Sequence, residues 1–463
     1  MTIESIPLLE TRQTPFFGHQ AAFRADRVGL LEEVRQRCGD LGRIRLGPIS
    51  VVVVTAPGPA LEVLQHRAED FQKSRGLGVL ARPLLGQGLL SSEGELHRSR
   101  RKLIAPAFYK SAIGGYGDTI LKATAETLDG LVPGQTIDVG EVMMALTLKI
   151  VGRTLFHAEV EGQTRAVGQA FTAASEALVA QLGSPLPLPW PWPSAANLRL
   201  RRASAALHQV VEEVIVARKR SQDPAPDLLR LLLEMRDEGG QGLSSDALRD
   251  EVVTLFLAGH ETTANALTWA FDQLDRHPKV AARLAAEAQA LDEPLTANVL
   301  PRLPYALAVL KETMRLYPPA YFVGRRALRD TQLSGHRLPK GTTVFVAIRE
   351  VHRRPELYPE PELFRPERFL DGAEERLPKG AFLPFGAGPR ICIGNHFALM
   401  EGQLILAALA RRFGLRRPKF QAPLPLDPLI TLRPGSKVEL QVTSAFGQPP
   451  GPEGTKPFAR QLA

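Results

Sequence analysis

The sequence predicts a mainly α-helical protein with a minor β portion. Three observations carry that reading. Most of the 463 residues repeat apolar positions at steps of three and four, the period of a helix that buries one face. Strand signals are confined to a few short runs. Near the C-terminal end, a glycine-studded loop runs straight into one more helix of that period.

The strand signals come at three places. Gly42 to Pro48 followed by Val51 to Val54 reads as a hairpin, and Thr342 to Val346 as a further strand. Ile430-Thr431-Leu432 and Val438-Glu439-Leu440 read as a hairpin turning at Pro434-Gly435. Among helices, one begins near Glu95 and puts His97 and Arg101 on one face, four residues apart. A long helix is capped by Ser244 or Ser245 and runs to about Arg276, where Pro278 ends it. Its buried stripe is Leu248, Val252, Leu255, Gly259, Thr262, Ala266, Ala270 and Leu274. In the middle of that stripe a glycine and a threonine replace bulk, and the glycine costs about 1 kcal/mol against alanine. Thr262 can bond back to the preceding turn. The stretch 184–193 alternates proline with apolar residues, including Trp190 and Trp192, and is expected to be an apolar flap. Asp223 to Pro226 reads as a linker. The organisation expected is an N-terminal extension at 1–14, one domain at 15–443 and a disordered tail at 444–463.

Bulk properties narrow the function. A composition 44% hydrophobic and 23% charged is globular, and no run approaches the roughly eighteen apolar residues of a membrane span. The start, Met1 to Pro7, has an early glutamate and no basic-then-apolar signal, so a cytoplasmic location is expected. Two cysteines, Cys38 and Cys392, cannot build a disulfide framework. The net charge of +8 comes from basic residues interleaved with acidic ones, and no nucleic-acid motif accompanies them. Arg98 to Lys102 and Arg411-Arg412 are candidates for a face that docks an acidic electron donor.

Cys392 decides the chemistry. It sits in Phe385-Gly386-Ala387-Gly388-Pro389-Arg390-Ile391-Cys392-Ile393-Gly394, just ahead of a helix, where dipole and free N–H groups favour a thiolate. The glycines let a large flat group approach, and Arg390 offers a cation for an anion beside it. Read alone, a lone cysteine is a small buried hydrophobe; the ten-residue context reverses that. This segment resembles the haem-binding loop of the cytochrome P-450 family, whose pattern Phe-Gly-x-Gly-x-Arg-x-Cys-x-Gly is met at every fixed position. Three further motifs of the family follow its order. They are Ala258-Gly259-His260-Glu261-Thr262-Thr263, Glu312-Thr313-Met314-Arg315 and Pro366-Glu367-Arg368-Phe369. The resemblance spans about Pro15 to Val442.

The resemblance implies a mostly helical fold with haem b between the long helix and the Cys392 loop. It makes Cys392 the iron ligand, with Phe385 shielding the sulfur and Gly388 and Gly394 in the loop. Arg390, His97 and Arg101 become propionate partners, together with Arg325 or Arg326. Ala258 and Gly259 become the groove, with Thr262 donating to oxygen there and Glu261 feeding protons through water. His260-Glu261 opens no zinc site, because Ala264 stands where the second histidine would be. Glu312, Arg315 and Arg368 become a buried structural network. The implied reaction inserts one atom of O2 into a C–H bond or alkene of a lipophilic molecule such as a fatty acid, terpenoid or polyketide. Electrons come from an external ferredoxin or flavodoxin with its reductase, and the protein acts as a monomer without nucleic acid. Leu255, Phe256, Ala320, Phe322 and Val323 are expected to wall the pocket, and Arg75 or Arg82 could hold a carboxylate unless solvated. Phrases such as Pro191-Trp192-Pro193 lean toward bacterial fatty-acid and lipid hydroxylases. Two rivals remain: a peroxygenase or dehydratase, which tends to lose the acid–threonine pair kept here, and a non-enzymatic haem sensor or carrier.

Overall fold

The helix Ser245–Arg276 is buried on nearly every side from Val252 to Leu274, so the rest of the chain is wrapped around it. Ser244 caps it as expected, accepting from the Ala247 N–H at 3.2 Å. This computed structural model describes residues 1–444 except 160, 161, 163, 183–191, 224–226, 236–241, 292–294 and 420. It is mainly helical, with small sheets at the edge of the helical body. The long helix packs on Val139–Leu155, on Pro304–Leu316 and on the helix after the cysteine, Asn395–Arg412. At the first crossing Gly259 has a structural use: a Cβ there would stand 3.0 Å from Val151 Cγ2.

The largest sheet has five strands in the order Leu41–Leu46, Ile49–Val54, Thr343–Val346, Val323–Ala327 and Phe71–Lys73. The expected hairpin is present, pairing Leu41 with Val54 through Leu46 with Ile49. Its second strand runs parallel to Thr343–Val346, and all four residues Val51 to Val54 are buried, as a strand covered on both faces requires. Residues 1–14, set apart by the sequence as an extension, lie along the first strand. Leu9 donates to the Arg43 carbonyl and Arg43 to that of Pro7, with Ile6 and Leu9 buried.

The hairpin expected at Pro434-Gly435 is corrected. Leu432–Pro434 pairs backward with Leu426–Pro428, so the turn is at 429–431. Glu439–Ser444 instead joins Thr136–Asp138 and Phe413–Arg416. The first run turns back on the residues just before it and the second finds partners distant in sequence, while the Gly435 N–H closes on the Pro425 carbonyl at 2.7 Å. The proline-rich stretch 184–191, residues 224–226 of the linker, and the tail beyond Ser444 lie outside the described residues; Trp192, at the flap's end, is exposed.

The helix Pro304–Leu316 carries a charge network fully removed from water. Arg315 Nε and Nη2 donate to Glu312 Oε2 and Oε1 at 2.7 and 2.9 Å, both side chains having no exposed surface. Arg368 Nε stands 3.4 Å from Oε1, and the Arg365 N–H donates to the same oxygen at 2.8 Å. The remaining Arg315 hydrogens go to the carbonyls of His352, Pro361 and Leu363. Removing the carboxylate would leave two guanidinium groups without their anion. Glu312→Ala is therefore expected to lose about 3–5 kcal/mol and to give no soluble, haem-loaded protein. Recovery of such protein from an expression trial would contradict this.

Candidate active site

The cysteine loop owes its shape to two glycines and a buried histidine. Gly386 and Gly388 have φ of +72° and +70°, a region costly for other residues. A Cβ on Gly388 would stand 2.1 Å from the Leu64 carbonyl oxygen, so the loop passes against backbone there. Gly394 has no such need; its N–H bears on the Cys392 sulfur. The Cys392 N–H donates to the Phe385 carbonyl at 2.9 Å. Upstream, the Leu383 N–H donates to His352 Nε2 at 2.7 Å. Burial pushes the His352 pKa down to about 3, so that nitrogen stays an acceptor.

Cys392 is accessible at its surface although protein encloses it on most sides. Ala258 and Thr262 are likewise accessible in an otherwise buried stretch of the long helix. Burial pushes the thiol pKa up, opposed by the Gly394 N–H and Arg101. A bound metal deprotonates such a sulfur outright.

Basic side chains gather beside the loop. Arg101 Nη1 donates to the Ile391 carbonyl at 2.7 Å, and Arg390 pairs with Glu93. Arg325 joins them. Strand pairing sets it opposite Lys73, and burial first, then Arg390, lowers its pKa to about 10. Arg326 turns to the Gly341 carbonyl instead, so of the two candidates only Arg325 belongs to the cluster. His97 is buried, its pKa lowered to about 4 by burial and then by Lys73 and Arg390. Lys73 was missed from sequence. It is buried, donates to the carbonyls of Leu89 and Ser92 at 3.2 and 2.6 Å, and has its pKa lowered to about 8 by burial. Against these five basic groups, Glu93 acts on Lys73 and Arg325 and pairs with Arg390, and Glu251 also acts on Lys73. The donor set thus fits haem b, one sulfur for the iron and a cationic corner for two propionates.

On the long helix, Thr262 Oγ1 donates back to the Ala258 carbonyl at 2.8 Å. Glu261 is fully buried, accepts from Thr431 Oγ1 at 2.7 Å, and has its pKa raised to about 7 by burial. Of the expected pocket residues, Phe256 packs its ring on Phe156 and His260, and Phe322 on Tyr321 and Phe345. Both rings are thereby engaged in side-chain packing. Leu255 is buried, while Ala320 and Val323 are partly accessible. Arg75 and Arg82 are exposed. The segment 86–89 is pinned to the long helix, with the N–H groups of Gln87 and Leu89 donating to Asp250 and Glu251 at 2.8 and 2.9 Å. Of the proposed docking cations, Arg98 pairs with Glu95, Arg100 lies 3.6 Å from Glu251, and Arg412 pairs with Asp129.

Comparison with known proteins agrees with this geometry. Residues 7–442 match the cytochrome P-450 family profile. Cyclooctat-9-en-7-ol 5-monooxygenase of Streptomyces melanosporofaciens is 36% identical over 87% of this chain and 88% of its own. Cyclooctatin synthase of the same organism is 35% identical over 90% and 93%. Pentalenene oxygenase of Streptomyces avermitilis is 34% identical over 80% and 83%. The chain belongs to the cytochrome P-450 family. It is a haem b monooxygenase, and it acts on a lipophilic small molecule with O2 and electrons from a donor. Among the described residues no helix is long and apolar enough to cross a membrane.

Two outcomes follow from this geometry. Gly388→Ala should fold but lose most of its haem, read as the Soret-to-protein absorbance ratio, because its Cβ would displace the loop. Glu401 is fully buried, and burial, opposed only by Thr263, raises its pKa well above 4.5. The folded protein keeps a proton there that the unfolded chain releases, so stability from this group falls as pH rises. Glu401→Gln should gain thermal stability over the parent as pH rises above about 4.5; a pH-independent difference in melts would refute this.

Proposed function

We propose that Cys392 is the axial ligand, that Lys73, His97, Arg101, Arg325 and Arg390 hold the propionates, and that the substrate is a terpenoid. The observation that carries the reading is the accessible sulfur beside five basic groups, with Ala258 and Thr262 accessible on the long helix. The haem, when bound, supplies O2 activation and the oxidation of an unactivated C–H bond or alkene. Around it, Ala258 and Gly259 leave room on the long helix, and Thr262 holds a hydroxyl there. Glu261, poised near neutrality, supplies protons. Leu255, Ala320 and Val323 present apolar surface to the substrate. Exposed Arg75 and Arg82 give no buried cation for a carboxylate, which favours a terpene over a fatty acid, in line with the three Streptomyces relatives. A ferredoxin or flavodoxin with its reductase, in the cytoplasm, supplies the electrons.

The reduced protein under carbon monoxide should show a Soret band shifted far to the red, and Cys392→Ser should lose it. A band at the ordinary histidine-haem position in the parent would remove the ligand assignment. With a plant-type ferredoxin and its reductase, cyclic terpene hydrocarbons and alcohols should be hydroxylated in preference to long-chain fatty acids. The reverse preference would overturn the terpenoid reading.

A further inference from the structure

The acid and the alcohol of the long helix do not point the same way. Glu261 and Thr262 are neighbours, hence about 100° apart around the axis. Thr262 is partly accessible, whereas Glu261 is 2% exposed and is held by the hairpin Leu426–Pro428/Leu432–Pro434. Thr431, in the turn of that hairpin, donates to Glu261 Oε1 at 2.7 Å. The direction of this bond is set by a third residue. Asn265 Nδ2, one turn further along the long helix, donates to Thr431 Oγ1 at 3.1 Å. A hydroxyl has one hydrogen to give, so Thr431, accepting from Asn265, gives it to Glu261.

The turn is itself tied down. Trp269 Nε1 donates to the Leu432 carbonyl at 3.3 Å, and the Tyr321 hydroxyl reaches the carbonyls of Pro428 and Leu429 at 3.2 Å. The Asn265 amide also bears on the Glu261 carboxyl, and Arg433, next but one to Thr431, is the charged group acting on it. It is partly exposed and bonded to Asp427 at 2.7 Å and to Thr172 at 3.2 Å. Other titratable groups on this stretch are engaged elsewhere. His260 lies between Phe171 and Phe256, Glu401 bears on Thr263, and Asp272 pairs with Arg276 and Arg417.

We propose that Thr431 is the positioning residue of the proton-delivering carboxyl: by donating to Oε1 it leaves Oε2 to carry the proton, on the side away from the hairpin. This rests on the reading of Glu261 as the proton donor. One proton leaves Oε2 in each delivery and one returns from water, so the carboxyl is restored. Without the Thr431 hydroxyl either oxygen can hold the proton, and half of the arrangements direct it into the hairpin.

The test uses the holoenzyme as parent, Thr431→Val, Thr431→Ser and Glu261→Gln, each with its carbon monoxide band intact. The carbonyl stretch of the protonated carboxyl is followed by infrared titration and assigned by its loss in Glu261→Gln. Oxygen consumption with NADPH, ferredoxin reductase and a plant-type ferredoxin is followed over the same pH range. In the parent and Thr431→Ser the band should vanish with a midpoint near 7. In Thr431→Val the midpoint should move upward, because a bond that favours the carboxylate is gone, and oxygen consumption should fall roughly tenfold. An unmoved band and an unchanged pH profile in Thr431→Val, with Glu261→Gln impaired, would overturn the role of Thr431 alone. Parent-like oxygen consumption and pH profile in Glu261→Gln would overturn the donor reading, and the delivery claim with it.

Discussion

The buried pair of Glu312 and Arg315 is the constraint on which the rest of the structure depends. One carboxylate takes two bonds from Arg315, one from the Arg365 backbone, and the charge of Arg368. Arg315 in turn fixes the carbonyl of His352, and the ring of His352 fixes Leu383, two residues before Phe385. From Phe385 the chain bends through two glycines to Cys392. The position of one sulfur is therefore referred, bond by bond, to a helix some eighty residues earlier. A buried ion pair is weak evidence for net stability. Its return here is registration, since few other arrangements satisfy so many donors at once.

The long helix supplies the opposite wall by a different principle, the packing of small residues. Gly259 brings it against Val151, and Trp269 stacks on Tyr317 with ring centres 4.1 Å apart, joining it to the end of the Pro304–Leu316 helix. The groove and the cysteine loop are thus both referenced to one element. A rigid frame of this kind suits a site whose chemistry is done by a cofactor and whose protein must hold geometry.

Much of this was legible in the sequence because it is local. A cap at Ser244, a stripe of period three to four and a loop with two glycines at fixed spacing need only neighbours to be read. The parts that escaped depend on which partner a segment chooses. Pro434-Gly435 looked like a hairpin turn, yet Leu432 pairs with Pro428, and Glu439–Ser444 with strands at Thr136 and Phe413. Lys73 carries no motif; only its pairing opposite Arg325 brings it to the cationic corner. His352, in a charged stretch, and Thr431, an isolated polar residue in an apolar run, likewise carry no motif. The ring partners of Phe256 and Phe322 were also not legible, because hydrophobicity alone does not say which neighbour a ring will choose.

The cationic corner also couples cofactor supply to folding. Lys73, His97, Arg101, Arg325 and Arg390 come from four separate stretches of chain, and burial and mutual repulsion already lower several of their pKa values. A ligand with two negative charges relieves that repulsion only when the stretches are assembled, so it binds the folded state and not the unfolded one. Such a ligand adds stability that grows with the logarithm of its free concentration. If haem seats its propionates in this corner, the strand Phe71–Lys73, the helix Gly94–Ile104 and the strand Val323–Ala327 would be held together more firmly the more haem is free. In a cell short of haem, these segments would be the first exposed to proteases, and the amount of enzyme would track the cofactor without any dedicated regulator.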